Sequence, residues 1–182
     1  RYNNKLNLNL KEEKNDIDKY SFKLIKTFIT RELSEVATNK LFYSVFKSNV
    51  TESMDSLYKN AYADEVLFIQ NGNGMLSSNF GSLYVSKGDY IVIPRGVIWK
   101  IKIKTQMKIL TIESSAHVET PAKYRNKFGQ LLEHSPFSER DIKTPNFENP
   151  IKEHSIKINV KYGSVIQSYF YQNHPFDIVG WD

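Results

Sequence analysis

The sequence predicts an all-β domain, an antiparallel β-sandwich or barrel with irregular extensions, on three observations. Short runs rich in β-branched and aromatic residues recur from Ser56 onward. Gly, Asn and Pro punctuate these runs, and no helix-length apolar period intervenes between them. The 182 residues are 40% hydrophobic, with 11 Phe and 11 Tyr, which is enough apolar surface for one real core.

Residues up to about Asp18 are mostly Asn, Lys, Glu and Asp and read as an arm. From Tyr20 to Phe46 two periods conflict. Tyr20, Phe22 and Leu24 alternate as in a strand, whereas Ile25, Phe28, Ile29 and Leu33 are spaced as in a helix, and the segment is left open. Strands are then expected over Glu65 to Gln70, Met75 to Asn79, Leu83 to Ser86, Tyr90 to Ile93, Ile98 to Lys104 and Met107 to Glu113. Asn71-Gly72-Asn73-Gly74 tolerates positive φ and suits a tight hairpin between the first two. After Pro121 the chain turns irregular, punctuated by Gly129, Pro136, Pro145 and Pro150, before two last strands, Ser155 to Val160 and Val165 to Tyr171. The domain division expected is 1–40 as arm and open segment, and 41–182 as the β-sandwich.

Composition removes several function classes. Without cysteine there is no disulfide framework and no thiol nucleophile, which fits the cytoplasm. Apolar runs such as Tyr90 to Ile93 are strand-sized, far short of the roughly 20 residues of a membrane-spanning helix. The first twenty residues also lack the charged-then-apolar order of a signal segment. The net charge of +5 is scattered. Lys100, Lys102 and Lys104 alternate with Ile101 and Ile103, which reads as a solvated face or a charge-protected edge strand rather than a nucleic-acid strip. Neither nucleic acid nor membrane is expected as a partner.

The most informative segment is Gly88-Asp89-Tyr90-Ile91-Val92-Ile93-Pro94-Arg95-Gly96-Val97-Ile98-Trp99. Gly88 and Asp89 make the turn into a buried strand; Pro94 to Gly96 ends it and aims position 99 inward. The spacing of glycine, proline and glycine resembles the second conserved motif of the cupins, which implies a cupin-like jelly roll. In metal-binding cupins position 99 would be a histidine ligand. Here it is Trp99, whose indole nitrogen only donates. The first cupin motif would fall near Asn60 to Gly74, where Glu65 alone corresponds to a ligand. One carboxylate does not make a metal site, so this barrel is expected to be metal-free.

Longer blocks resemble the homogentisate dioxygenase family, above all its bacterial branch. They are Tyr62 to Ile69, Gly88 to Gly96, Tyr124 to Asp141 and His174 to Asp182, so the likeness runs from roughly Phe42 to the last residue. The resemblance implies an Fe(II) enzyme that opens the ring of homogentisate with O2 in tyrosine and phenylalanine breakdown. It also implies a homo-oligomer, and an iron triad in a C-terminal half that this sequence does not contain. With Arg rather than Met at position 1, the chain reads as a piece of a longer protein, ending before the catalytic cupin.

The four histidines, His117, His134, His154 and His174, lie on no shared strand face at ligand spacing and read as surface or hydrogen-bonded structural groups. Glu133, His134 and Arg140 are candidates for the substrate or for an interface, on a polar segment, Glu133 to Asp141, expected to be an ordered non-helical loop. No catalytic residue is assigned. The competing expectation is a free-standing, metal-free cupin that binds a small molecule or partner, or regulates, without catalysis.

Overall fold

The computed structural model describes residues 43–149 and 153–177. The chain divides between residues 41 and 42, and every described residue belongs to the second unit. The expectations for the arm and for most of the open segment lie outside the described residues.

The described residues form strands β1 (Tyr43–Val50), β2 (Leu57–Asn60), β3 (Asp64–Asn71), β4 (Asn73–Ser78), β5 (Gly81–Ser86), β6 (Tyr90–Ile93), β7 (Ile98–Ile103), β8 (Met107–Ser114), β9 (Ile156–Tyr162) and β10 (Val165–Tyr171). They build a 4-stranded sheet, β1-β8-β3-β6, and a 6-stranded sheet, β10-β9-β2-β7-β4-β5. Pairing is antiparallel throughout except between β2 and β9, which run parallel. Beyond the predicted strands the fold adds β1 and β2. The sequence of β1, YSVFKSNV, mixes polar residues into a weak alternation, yet it pairs with β8 along its whole length.

Alternation places the core. Leu67 and Ile69 of β3, Leu76 of β4, Ile91 and Ile93 of β6, Trp99 and Ile101 of β7, and Met107 and Ile109 of β8 form one buried cluster with Val85. Each such side chain contributes about 1.5–3 kcal/mol on burial.

Three expectations are corrected. Asn71 to Gly74 is a corner, not a hairpin, because β3 lies in one sheet and β4 in the other. The corner demands glycine twice over: Gly72 has φ +83°, and a Cβ there would lie 2.2 Å from the Gln106 carbonyl oxygen. The hairpin is instead β4–β5, where Ser78 pairs with Gly81. Strand β6 is buried on one face only: Ile91 and Ile93 turn to the core between the sheets, while Tyr90 and Val92 lie on the outer, exposed face. Of the two readings of the lysine strand, the solvated face holds: β7 is central, between β2 and β4, and is no edge. Finally, the Glu133 to Asp141 segment ends in a 3-10 turn, Glu139–Asp141. There the Asp141 carboxylate accepts the Ser138 N–H at 2.7 Å, which closes the turn once Pro136 is passed.

Candidate functional site

Positions 65 and 99, the two that cupin motifs would use for metal, meet in the interior. Trp99 Nε1 donates to Glu65 Oε2 at 3.3 Å. Strand β2 adds Tyr58, whose hydroxyl donates to Glu65 Oε1 at 3.1 Å, and Asn60, whose Nδ2 bridges Glu65 Oε1 at 3.3 Å and Glu113 Oε1 at 3.0 Å. Asn60 Oδ1 accepts the N–H groups of Tyr62 and Ala63, so its amide orientation is fixed by four partners. Lys161 of β9 donates its ammonium to Glu113 Oε1 and lies 4.8 Å from the centre of the Phe46 ring. Glu65, Asn60, Glu113 and Trp99 are all buried.

The electrostatics follow from two buried carboxylates bridged by Asn60, of which Glu113 alone holds a cation, Lys161. Burial pushes the Glu65 carboxyl above its usual range; the bonds from Asn60 and Tyr58 pull the other way, and the charge of Glu113 adds to the rise. Burial, then the charges of Glu65 and Glu113, also raise the Tyr58 phenol far above its ordinary value, so it remains a neutral donor. Among the described residues no buried side-chain N or O atom lacks a hydrogen-bond partner. The cluster is closed and satisfied.

The iron implied by the family resemblance does not fit this set. Trp99 Nε1 points a hydrogen at Glu65 and has no lone pair to give, while Glu65 and Glu113 are already engaged by Tyr58, Asn60, Trp99 and Lys161. No histidine takes part. The described residues hold no group of three or more His, Cys, Asp or Glu placed to grip a metal ion.

Next to Glu65, Asp64 faces the turn after β6. Its Oδ1 accepts Arg95 N at 3.0 Å and Arg95 Nε at 2.9 Å, its Oδ2 accepts Val118 N at 2.9 Å, and His117 Nδ1 stands 3.6 Å away. Burial works against the ionised form, but these bonds and the Arg95 charge outweigh it and hold the carboxyl below its usual range. A depressed folded value means stability that is present above the unfolded carboxylate range and lost as pH falls through the folded value. Asp64→Asn removes one acceptor oxygen from three N–H donors and is expected to cost about 1–3 kcal/mol at pH 7. Urea unfolding should show that gap closing at acid pH; an unchanged gap would mean that the charge of Asp64 contributes nothing.

The sequence-derived candidates sit elsewhere. Glu133, His134 and Arg140 are all exposed, on the segment after β8, and none reaches the buried cluster. Arg140 Nε donates to Ser138 Oγ at 3.3 Å, within its own turn. His117 and His154 are exposed, and His154 Nδ1 lies 3.2 Å from the Gln172 carbonyl. His174 is buried: its Nδ1 accepts the Phe176 N–H at 3.2 Å and its ring meets that of Phe176 edge-on. It borders a cleft of about 370 Å³ with Lys100, His154 and Glu153. Burial and then the Lys100 charge lower the basicity of His174, against Glu153 and Asp177.

Tyr58, Asn60, Glu113 and Lys161 were missed as site residues. One signal was available: Glu113 breaks the apolar alternation of β8 at a position facing inward.

Two facing sheets, with strand β6 framed by Gly88 and Gly96 and the turn after it delivering residue 99 to the interior, define a cupin-type β-sandwich. Residues 15–182 match the family described as homogentisate 1,2-dioxygenase N-terminal, and the chain belongs to that family. The match begins well before Phe42, where the likeness read from the sequence faded. The chain is 32% identical over 171 residues to "Putative dioxygenase SSO1533" of Saccharolobus solfataricus, covering 90% of this chain and 44% of that protein. It is 28% identical over 141 residues to the homogentisate 1,2-dioxygenase of Bradyrhizobium diazoefficiens, covering 72% of this chain and 29% of that protein. The chain thus spans less than half the length of these curated relatives. A solved cupin-2 domain containing protein of Shewanella frigidimarina is similar at a TM-score of 0.35 and 26% identity, over 42% of this chain and 72% of that one.

Proposed function

We propose that this chain is the N-terminal part of an Fe(II)-dependent, homogentisate 1,2-dioxygenase-like ring-cleaving enzyme of tyrosine and phenylalanine catabolism. Its iron, aromatic substrate and O2 meet in a C-terminal half outside this sequence. The observation that carries the reading is the family match over residues 15–182. The donor set around Glu65 and Trp99 supports placing the iron elsewhere, because the interior of this half is filled by its own hydrogen bonds. In this reading the N-terminal barrel is a scaffold. Glu133, His134 and Arg140 are available on its surface to the second half, to a neighbouring subunit of a homo-oligomer, or to the substrate. The reading assigns the protein to the cytoplasm, in keeping with a sequence free of cysteine.

The self-satisfied cluster also favours a second reading, a metal-free cupin that binds or regulates without catalysis. Iron analysis and O2 uptake with homogentisate separate the two, run on the 182-residue chain and on the longer protein. The chain alone is expected to hold no stoichiometric iron and to turn over no homogentisate, whereas the longer protein does both. Iron and turnover in the 182-residue chain would sink the placement of the site. An iron-free, inactive longer protein would leave the binding module as the answer.

A further inference from the structure

We propose that strand β10 is the docking edge for the C-terminal half of the protein, which adds to the open side of the 6-stranded sheet and covers both faces of this strand. The inference rests on the reading above that a second half exists.

Strand β10 ends the sheet, paired with β9 on one side only. Every one of its residues is exposed, the large ones included: Ile166 at 59% and Phe170 at 69% on one face, with Val165, Tyr169 and Tyr171 on the other. A strand exposed on both faces has no opposite sheet over it, so neither alternation nor packing explains five large apolar side chains in seven residues. The devices that ordinarily keep an edge strand from pairing are also missing: VIQSYFY carries no charge and no proline, and its register against β9 runs without a bulge. Left uncovered, such a segment is an aggregation hazard. An edge of this composition matches a partner that supplies a strand and an apolar surface.

The occupant follows from length and tether. The relatives matched here extend well beyond the shared region, which covers 44% and 29% of them. Tyr171 precedes Asp182 by 11 positions, a span of at most roughly 36–40 Å, so this edge is within reach of a chain that continues past Asp182. A tethered segment acts at an effective concentration on the order of millimolar, which favours it over a second copy in dilute solution.

Amide hydrogen exchange tests the proposal on the 182-residue chain and on the longer protein, each with and without Phe170→Lys. In the 182-residue chain the outward-facing β10 amides should exchange fast, and the substitution should leave the unfolding midpoint unchanged. In the longer protein the same amides should be slowed at least about tenfold, and Phe170→Lys should abolish that protection. Fast exchange of β10 in the longer protein overturns the proposal. So does a dimer of the 182-residue chain that Phe170→Lys turns into a monomer, which would make a second copy the occupant. Iron content separates this inference from the enzymatic reading. Protected β10 in an iron-free, inactive protein sinks only the ring-cleaving function, and open β10 in an iron-loaded, active protein sinks only the docking edge. A reading frame ending at Asp182 sinks both.

Discussion

Replacing Trp99 with Ala is expected to destabilise the domain by about 3–5 kcal/mol, the range for emptying an aromatic site in a packed core. Trp99 is 8% exposed, belongs to the main apolar cluster and meets the Tyr58 ring edge-on at 5.5 Å. The loss has two parts. One is the cavity left among Ile101, Leu67 and their neighbours; the other is the Glu65 oxygen deprived of its indole donor inside a low-dielectric interior. Trp99→Phe separates them, since it keeps most of the volume and removes the N–H; about 1–3 kcal/mol of the loss should remain. Urea unfolding of both variants at pH 7 decides the matter. A near-neutral Trp99→Ala would place residue 99 outside the core and undo the alignment with the cupin motif.

Much of this fold was legible because its signals are local. The alternation of Leu67 with Ile69, or of Trp99 with Ile101, states which face of a strand is buried without reference to any partner. Gly88 and Gly96 likewise mark turns through their own φ values, +94° and +86°. What was not legible is set by partners distant in the chain. Asn71 to Gly74 has one composition whether it closes a hairpin or turns a corner between sheets, and only the pairing of β4 with β5 and β7 decides. The short β2 is fixed by a parallel partner, β9, about a hundred residues on. The buried cluster is the extreme case. Asn60 and Glu113 are 53 positions apart and Lys161 is 48 beyond Glu113, so no spacing rule brings them together. The motif located Glu65 and Trp99, and with them what the site lacks; what fills it instead came from topology.

Lys161→Met should destabilise the protein by about 3 kcal/mol at pH 7. Removing one member of a buried ion pair typically costs about 3–5 kcal/mol, because the charge left behind has lost both water and partner. The lower end applies here, since the Lys161 side chain keeps 17% of its exposure against 5% for Glu113, and some solvent screening survives. Methionine retains the stem that packs beside Phe46, so the loss reports the charge rather than the volume. The remaining cluster would hold Glu65 and Glu113 joined through Asn60 with no cation, and a proton is then the cheapest replacement. The pH dependence has a definite sign. Glu65 already has its folded value raised by burial, so the folded state binds its proton more readily than the unfolded chain, and stability falls as pH rises from the unfolded carboxylate range through the folded value. Losing the lysine should steepen that fall, so the deficit of Lys161→Met is expected to shrink between pH 7 and pH 5. Glu113→Gln in the same chain should recover part of the loss by removing the stranded charge. Urea unfolding of the single and double variants at both pH values tests this. A deficit that is the same at pH 5 and is not reduced by Glu113→Gln would show that Lys161 acts by packing alone, and that the two carboxylates do not depend on its charge.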